Sequence, residues 1–192
     1  MKNKVFAYIG VIGSGKDYQV KLKSEIGNYK IFDFSDGVRE FTWGFLCYRP
    51  WGVEDYSKFK SCSNTLIFPE DDREQKFLIS GRRFLENVGG TMRRYDPNFW
   101  AKYCINSANF SLSHGTKNFI FNAVRYPNEA KSVIDFSKKI DADFEFIFTD
   151  YKSDRYEIRR DESEYFAQSL LKEGFEHLDN VTDYIINITK NV

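Results

Sequence analysis

The sequence predicts an α/β protein, a three-layer α/β/α arrangement around a five-stranded, mostly parallel sheet. Three observations carry that expectation: five short apolar runs, helix-period segments between them, and a glycine-rich turn where the first run meets the first helix. The runs are KVFAYIG (4–10), YKIFDFS (29–35), NFIFNAV (118–124), FEFIFT (144–149) and YIINIT (184–189). Each is rich in aromatic or β-branched residues and apolar at most positions. Such runs suit strands buried on both faces, joined by right-handed helical crossovers.

The helices follow from period and punctuation. Asp17 to Ile26 follows the first run. Ser35 or Asp36 can cap a helix with Val38, Phe41, Phe45 and Leu46 on one face. Asp96-Pro97 reads as the cap and first residue of a helix carrying Trp100, Tyr103, Cys104 and Ala108, and Pro127 opens another through Ala130, Val133, Ile134 and Phe136. Two stretches break the alternation. Residues 48–76 are polar and turn-rich, as an insertion at the rim of the sheet would be, and 150–165 hold a dense mixture of charges. With neither repeat nor dividing linker, 1–192 reads as one domain.

The 192 residues suffice for a substantial interior, and 42% hydrophobic with 18% aromatic residues supply one. Lys+Arg and Asp+Glu both number 28, so no global field draws the chain to nucleic acid or membrane. The start, MKNKVFAYIG, lacks a cleavage site and a spanning apolar length, which leads us to expect a cytoplasmic protein. Cys47, Cys62 and Cys104 are widely spaced and read as reduced thiols. His114 and His177 are solitary and lack the neighbours a metal site needs.

Residues 10–17 read GVIGSGKD and match GxxxxGK at Gly10, Gly15 and Lys16, with Gly13 a further position free to take positive φ. Phosphate binding needs this pattern: backbone N–H groups must point inward, a helix must present its positive end, and a lysine must reach the outer phosphates. Gly10, Gly13, Ser14, Gly15, Lys16 and Asp17 are therefore the candidate nucleotide-binding residues. A Gly-rich strand-to-helix turn with a surface lysine is the bland alternative. Asp17 stands where a Mg²⁺-binding hydroxyl is usual; a carboxylate there could hold the ion directly, through water, or cap the helix. Ser14 carries a hydroxyl, but not at the usual magnesium position.

GSGKD, FSDGVREF (34–41), GRRFLENVGGTMRRYDPNFWAKYC (81–104), AVRYPNEA (123–130) and RRDESE (159–164) together resemble the bacteriophage deoxynucleoside monophosphate kinases, in that family's order. DNVTDYIINI resembles the family's last strand. The resemblance implies a P-loop kinase fold with an acceptor-binding helical insertion over about 36–113 and a lid over about 150–165. It implies ATP and Mg²⁺ as cofactors and a deoxynucleoside monophosphate (dNMP) as acceptor. Lys16 would reach the β- and γ-phosphates, Arg39 and Arg125 the acceptor phosphate, with Arg82 or Arg93 adding to that pocket. Arg125, Arg159 and Arg160 would act with Lys16 on the transferring group, and Asp17 would serve the metal. Trp100, with Phe84 and Tyr95, could stack on the acceptor base or pack the core. Asn87, Thr91 and Asn98 are candidates for reading that base by their place in the same block. In the pairs Arg82-Arg83, Arg93-Arg94 and Arg159-Arg160, one member of each can face a pocket while the other is solvated.

One departure stands out. Where the family reads DDVR, this chain reads Asn122-Ala123-Val124-Arg125. Asp17 could supply the carboxylate that 122 or 123 lacks. Two rival readings remain: a P-loop kinase acting on a modified base in DNA, which zero net charge disfavours, and a nucleotide-binding protein or scaffold whose chemistry has lapsed. The aromatic run at 41–51 could cover a partner subunit in a homodimer or wrap the acceptor site.

Overall fold

The computed structural model describes residues 2–11, 13–47, 81–150, 165–190 and 192, with the backbone alone at 43, 45–47, 81 and 82. The expected rim insertion (48–76) and all of the expected lid but Asp150 and Tyr165 lie outside the described residues. So do Cys62, Arg159, Arg160 and the aromatic run beyond Cys47.

The elements are β1 (Lys4–Ile9), α1 (Lys16–Gly27), β2 (Lys30–Asp33), α2 (Asp36–Cys47), α3 (Gly81–Tyr95), α4 (Phe99–Ser113), β3 (Asn118–Val124), α5 (Pro127–Lys139), β4 (Asp143–Phe148), α6 (Tyr165–Lys172) and α7 (Thr182–Ile188). They divide into two compact units, one of Met1–Phe34 with Ala101–Val192, the other of Ser35–Trp100.

The first unit holds a parallel sheet in the order β2-β3-β1-β4. Its two faces are read directly from residue parity. Val5, Ala7 and Ile9 of β1 join Phe119 and Phe121 of β3 and Phe146 and Phe148 of β4 in the larger core. Phe6, Tyr8 and Ile120 face the other way, against Val20 of α1. Because helices cover both faces, β1 from Val5 to Ile9 is apolar and buried at every position, and each large buried side chain contributes about 1.5–3 kcal/mol. Ala130, Val133, Ile134 and Phe136 of α5 bury themselves in the larger core, as the period predicts. Cys104 and Ala108 of α4 do the same, while Tyr103 turns outward. Cys104 is a free, buried thiol.

A bulge interrupts β3. Ala7 pairs with Phe121 but Ile9 pairs with Val124, so β3 carries one residue more than β1 between those pairs, and Ala123 sits there at φ 55°. The extra residue resets the alternation. Asn122 points to the α1 face, and Val124 returns to the large core.

The fifth strand is not there: among the described residues the sheet has four, and 184–189 form most of α7 and its end. Val181, Ile185 and Thr189 are buried at helical spacing, while Asp183 and Asn187 are exposed. The Thr189 hydroxyl donates back to the Ile185 carbonyl at 2.7 Å. A run of isoleucines this short has no period of its own, and Asn180 supplies the start signal by accepting the Thr182 N–H at 3.0 Å. The open edge of β4 is satisfied instead by the chain just before α7: Phe148 N–H donates to Asp179 O (2.9 Å), Leu178 N–H to Phe148 O (2.7 Å) and Val181 N–H to Phe146 O (2.9 Å). These bonds leave one antiparallel bridge, Ile147 with Asn180, rather than a strand.

The second unit contains α2, α3 and the first residues of α4. The expected apolar face of α2 is corrected at Phe41, which is 53% exposed; Val38 is followed on the buried side by Thr42. The side chains of Phe45 and Leu46 are outside the described residues. α4 starts at Phe99, two residues after Pro97, because Asp96 closes a turn first: its carboxylate accepts the Asn98 N–H and its carbonyl the Phe99 N–H, both at 2.9 Å.

The helical reading of 182–188 has a direct check. A strand would put residues 185 and 187 on one face, whereas the helix buries Ile185 and exposes Asn187. Ile185→Ala should cost about 2–4 kcal/mol in urea unfolding and Asn187→Ala less than about 0.5 kcal/mol.

Candidate phosphate-binding site

Crossover direction places the site. From β1 the chain passes to α1 on one face of the sheet, and from β3 it passes to α5 on the other, while β1 and β3 are neighbours. Adjacent parallel strands whose exits diverge leave a crevice beyond their carboxyl ends. The segments at that crevice are Gly10–Lys16 and Asn122–Arg125.

In the first segment Gly13 has φ 84° and Gly15 φ 79°, conformations that cost an L side chain about 1–2 kcal/mol. Gly15 is the N-cap of α1, and its carbonyl accepts the Gln19 N–H at 3.1 Å. The N–H groups of the first turn from Lys16 onward therefore have no acceptor within the helix, which is the source of its positive end. The Ser14 N–H is used within the turn, donating to Val11 O at 3.1 Å.

The turn is braced from beneath. Thr149, fully buried just past β4, donates to the Ile9 carbonyl through its N–H (2.8 Å) and its hydroxyl (3.1 Å). With that proton spent, the Ser14 hydroxyl at 3.0 Å must be the donor to Thr149 Oγ1. Ser14 is thus a buried strut, and its hydroxyl faces the sheet. Gly10 is needed for closeness rather than φ. A Cβ there would lie 2.5 Å from Ser14 Oγ and 2.6 Å from Thr149 O, whereas one on Gly13 would meet nothing.

Lys16 is buried, with Nζ 3.3 Å from both carboxylate oxygens of Asp17. Asp17 projects outward, its side chain 74% exposed, and accepts the Asn122 amide at 2.8 Å. Asp17, read from the sequence as a source of the carboxylate that 122 or 123 lacks, is hydrogen-bonded to the residue at 122. The same amide nitrogen also donates to Asp33 at 3.0 Å. Asp33 was invisible to motif reasoning, since a lone acid ending a strand has no distinguishing spacing. The oxygen-rich set of Asp17, Asp33 and Asn122 suits Mg²⁺ chemically. Among the described residues no group of three or more His, Cys, Asp or Glu forms a metal cluster.

Arg125 follows β3. Its N–H donates to the buried Glu129 at 2.8 Å, which pins the start of α5. Its half-buried guanidinium has no partner among the described residues.

The remaining candidates lie in the second unit. Arg39 is engaged by its own first turn, donating to Asp36 at 2.7 Å and to Ser35. Arg93 is half-buried and lies over Gly89, while Arg94 is exposed. Arg82 belongs to α3, its side chain outside the described residues, and Arg83 is exposed. Trp100 is 2% exposed and donates to the Gly89 carbonyl at 3.0 Å, so it joins α3 to α4 and offers no open ring face for a base. Tyr95 is 85% exposed, Phe84 half-buried, and Asn87, Thr91 and Asn98 exposed.

No family model matches the chain, and no curated protein matches it. Among solved structures it is similar to the dephospho-CoA kinase from Campylobacter jejuni, at 16% identity and a TM-score of 0.32, over 91% of this chain and 100% of that one. Likeness at that level carries no argument about activity. No helix of the described residues is long and apolar enough to cross a membrane.

Removing the Thr149 hydroxyl should leave Ser14 without its acceptor. Thr149→Val is expected to cost about 1–3 kcal/mol by thermal or urea unfolding, with most of that restored in Thr149→Ser. The two glycines should separate by mechanism: Gly10→Ala overpacks and should cost about 3 kcal/mol or more, whereas Gly13→Ala meets only backbone strain, about 1–2 kcal/mol.

Proposed function

We propose that the protein is an ATP- and Mg²⁺-dependent phosphotransferase that passes the γ-phosphate of ATP to the 5′-phosphate of a dNMP, giving the diphosphate. The observation that carries this reading is the turn itself: two positive-φ glycines between β1 and the first turn of α1, with Lys16 behind them. A parallel-sheet crevice, open N–H groups at a helix start and an adjacent lysine make a seat for a triphosphate.

In this reading Lys16 and the loop amides hold the donor phosphates. The guanidinium of Arg125, which has no partner among the described residues and follows the neighbouring strand β3, takes the acceptor phosphate. Joining two polyanions asks little covalent work of the protein. It asks for cations that hold the phosphates in line and offset charge on the transferred group. Mg²⁺ would bridge and neutralise the donor phosphates, with Asp17 beside it. Arg39, Arg82 and Arg93 are assigned to the acceptor by resemblance, and Arg159 and Arg160 to a lid over the transferring group on the same ground. The dNMP as acceptor, a bacteriophage source, a homodimer and a cytoplasmic site of action rest on that resemblance and on the sequence.

ADP release coupled to NADH oxidation, measured against all common dNMPs and NMPs, tests the reading. Turnover should depend on one or a few dNMPs and fall by about a hundredfold or more in Lys16→Ala with the fold intact. ATP binding without acceptor-stimulated ADP release would instead favour the lapsed nucleotide-binding reading.

A further inference from the structure

Helix α1 is apolar on two sides. Val20, 3% exposed, packs against the sheet with Phe6, Tyr8 and Ile120. A helix that covers one face of a sheet needs that stripe alone. Tyr18, Leu22 and Ile26 nevertheless follow one another at intervals of four on the far side, where such a row drifts only about 40° around the axis per step. Tyr18 is 63% exposed, Leu22 half-buried and Ile26 86% exposed. Single exposed apolar residues are ordinary, whereas a row of them one turn apart makes a contiguous patch. All three belong to the first unit.

The charges along its edges say what the patch fits. Lys21 and Glu25 run along one edge, Gln19 and Lys23 along the other. Lys23 is turned inward, its ammonium 3.9 Å from the centre of the Phe6 ring. The exposed charged edge is therefore Lys21 with Glu25, whose side chains are 74% and 58% exposed and 3.9 Å apart. An edge of one sign would call for a partner of the other sign. An edge holding both signs, one turn apart, matches its own copy in reverse. With a second α1 laid antiparallel across a twofold axis level with Leu22, that residue meets itself and Tyr18 meets Ile26. The twofold keeps like edges together. Glu25 then stands about 4.5 Å along the helix from Leu22, and Lys21 of the other copy about 1.5 Å in the same direction, so two reciprocal ion pairs form. Each helix start also lies beside the other's end, which sets the two dipoles in opposition.

We propose that the outer face of α1 is an isologous contact between two copies of this chain, with Tyr18, Leu22 and Ile26 at its centre and Lys21 and Glu25 setting the antiparallel direction. The twelve residues of α1 span about 18 Å, so the contact is small for a specific interface and the dimer is weak, with a dissociation constant on the order of 10 μM. The surface is argued without the phosphotransferase reading, and a lack of turnover would leave it standing. It also gives the expected homodimer a contact other than the aromatic run at 41–51.

Sedimentation equilibrium of the full chain from about 1 to about 200 μM tests the contact. Wild type should pass from monomer towards dimer across that range. Ile26→Glu, at a position too exposed to disturb the fold, should stay monomeric with an unchanged melting temperature. Lys21→Glu should weaken association about tenfold, because it sets like charges against Glu25 of the other copy. The double exchange of Lys21→Glu with Glu25→Lys should restore association to within about threefold of wild type, since opposite charges again face each other across the axis. A wild type that is monomeric throughout, a dimer indifferent to Ile26→Glu, or a double exchange no better than Lys21→Glu alone would overturn the proposal.

Discussion

The carbonyl of Ile9 is the point from which the candidate site is built. It accepts both the N–H and the hydroxyl of Thr149, so the carboxyl ends of β1 and β4 are clamped together one residue before the glycine-rich turn begins. The clamp forces close packing: Gly10 has no room for a Cβ, and Ser14 is drawn down to donate to Thr149. What remains above is backbone, shaped by two positive-φ glycines and ending in a helix start. A phosphate seat requires such bare backbone, because side chains would keep the oxygens from the N–H groups.

A second constraint acts through β3. Its exit and that of β1 lead to opposite faces, which opens the crevice, and the bulge at Ala123 decides what faces it. Without the extra residue Val124 would share the face of Asn122 and be lost from the core. Holding a non-glycine residue at φ 55° costs about 1–2 kcal/mol, and the larger core, with Phe119, Phe121 and Val124 in register, offsets it. Conformational strain and a buried polar cluster thus meet at one strand end, where Asn122 spans two carboxylates.

The second unit is organised differently. There Arg39 is tied to its own first turn, Arg93 lies over a glycine, and Trp100 is a packing residue. An arginine held by its own first turn is pre-ordered at modest energy, since a surface ion pair of this kind contributes about 0.2–1 kcal/mol.

The amino-acid sequence by itself determined the elements whose signal is local. Four of the strands, the start of α5 at Pro127, the glycine-rich turn and its positive-φ glycines follow from composition and punctuation over a few residues. It misled at 184–189, where a short isoleucine-rich run fits strand and helix equally and the burial of Val181, Ile185 and Thr189 on one stripe chose the helix. Tertiary structure alone decided the partnerships. Asp33 and Thr149 carry no motif and Asn122 stands out only as a departure from one, because what matters about each is a neighbour more than 80 residues away in the chain, as the separations of 89, 105 and 135 show. Local pattern records the conformation a residue can adopt, and only the packed sheet determines which distant side chain it meets.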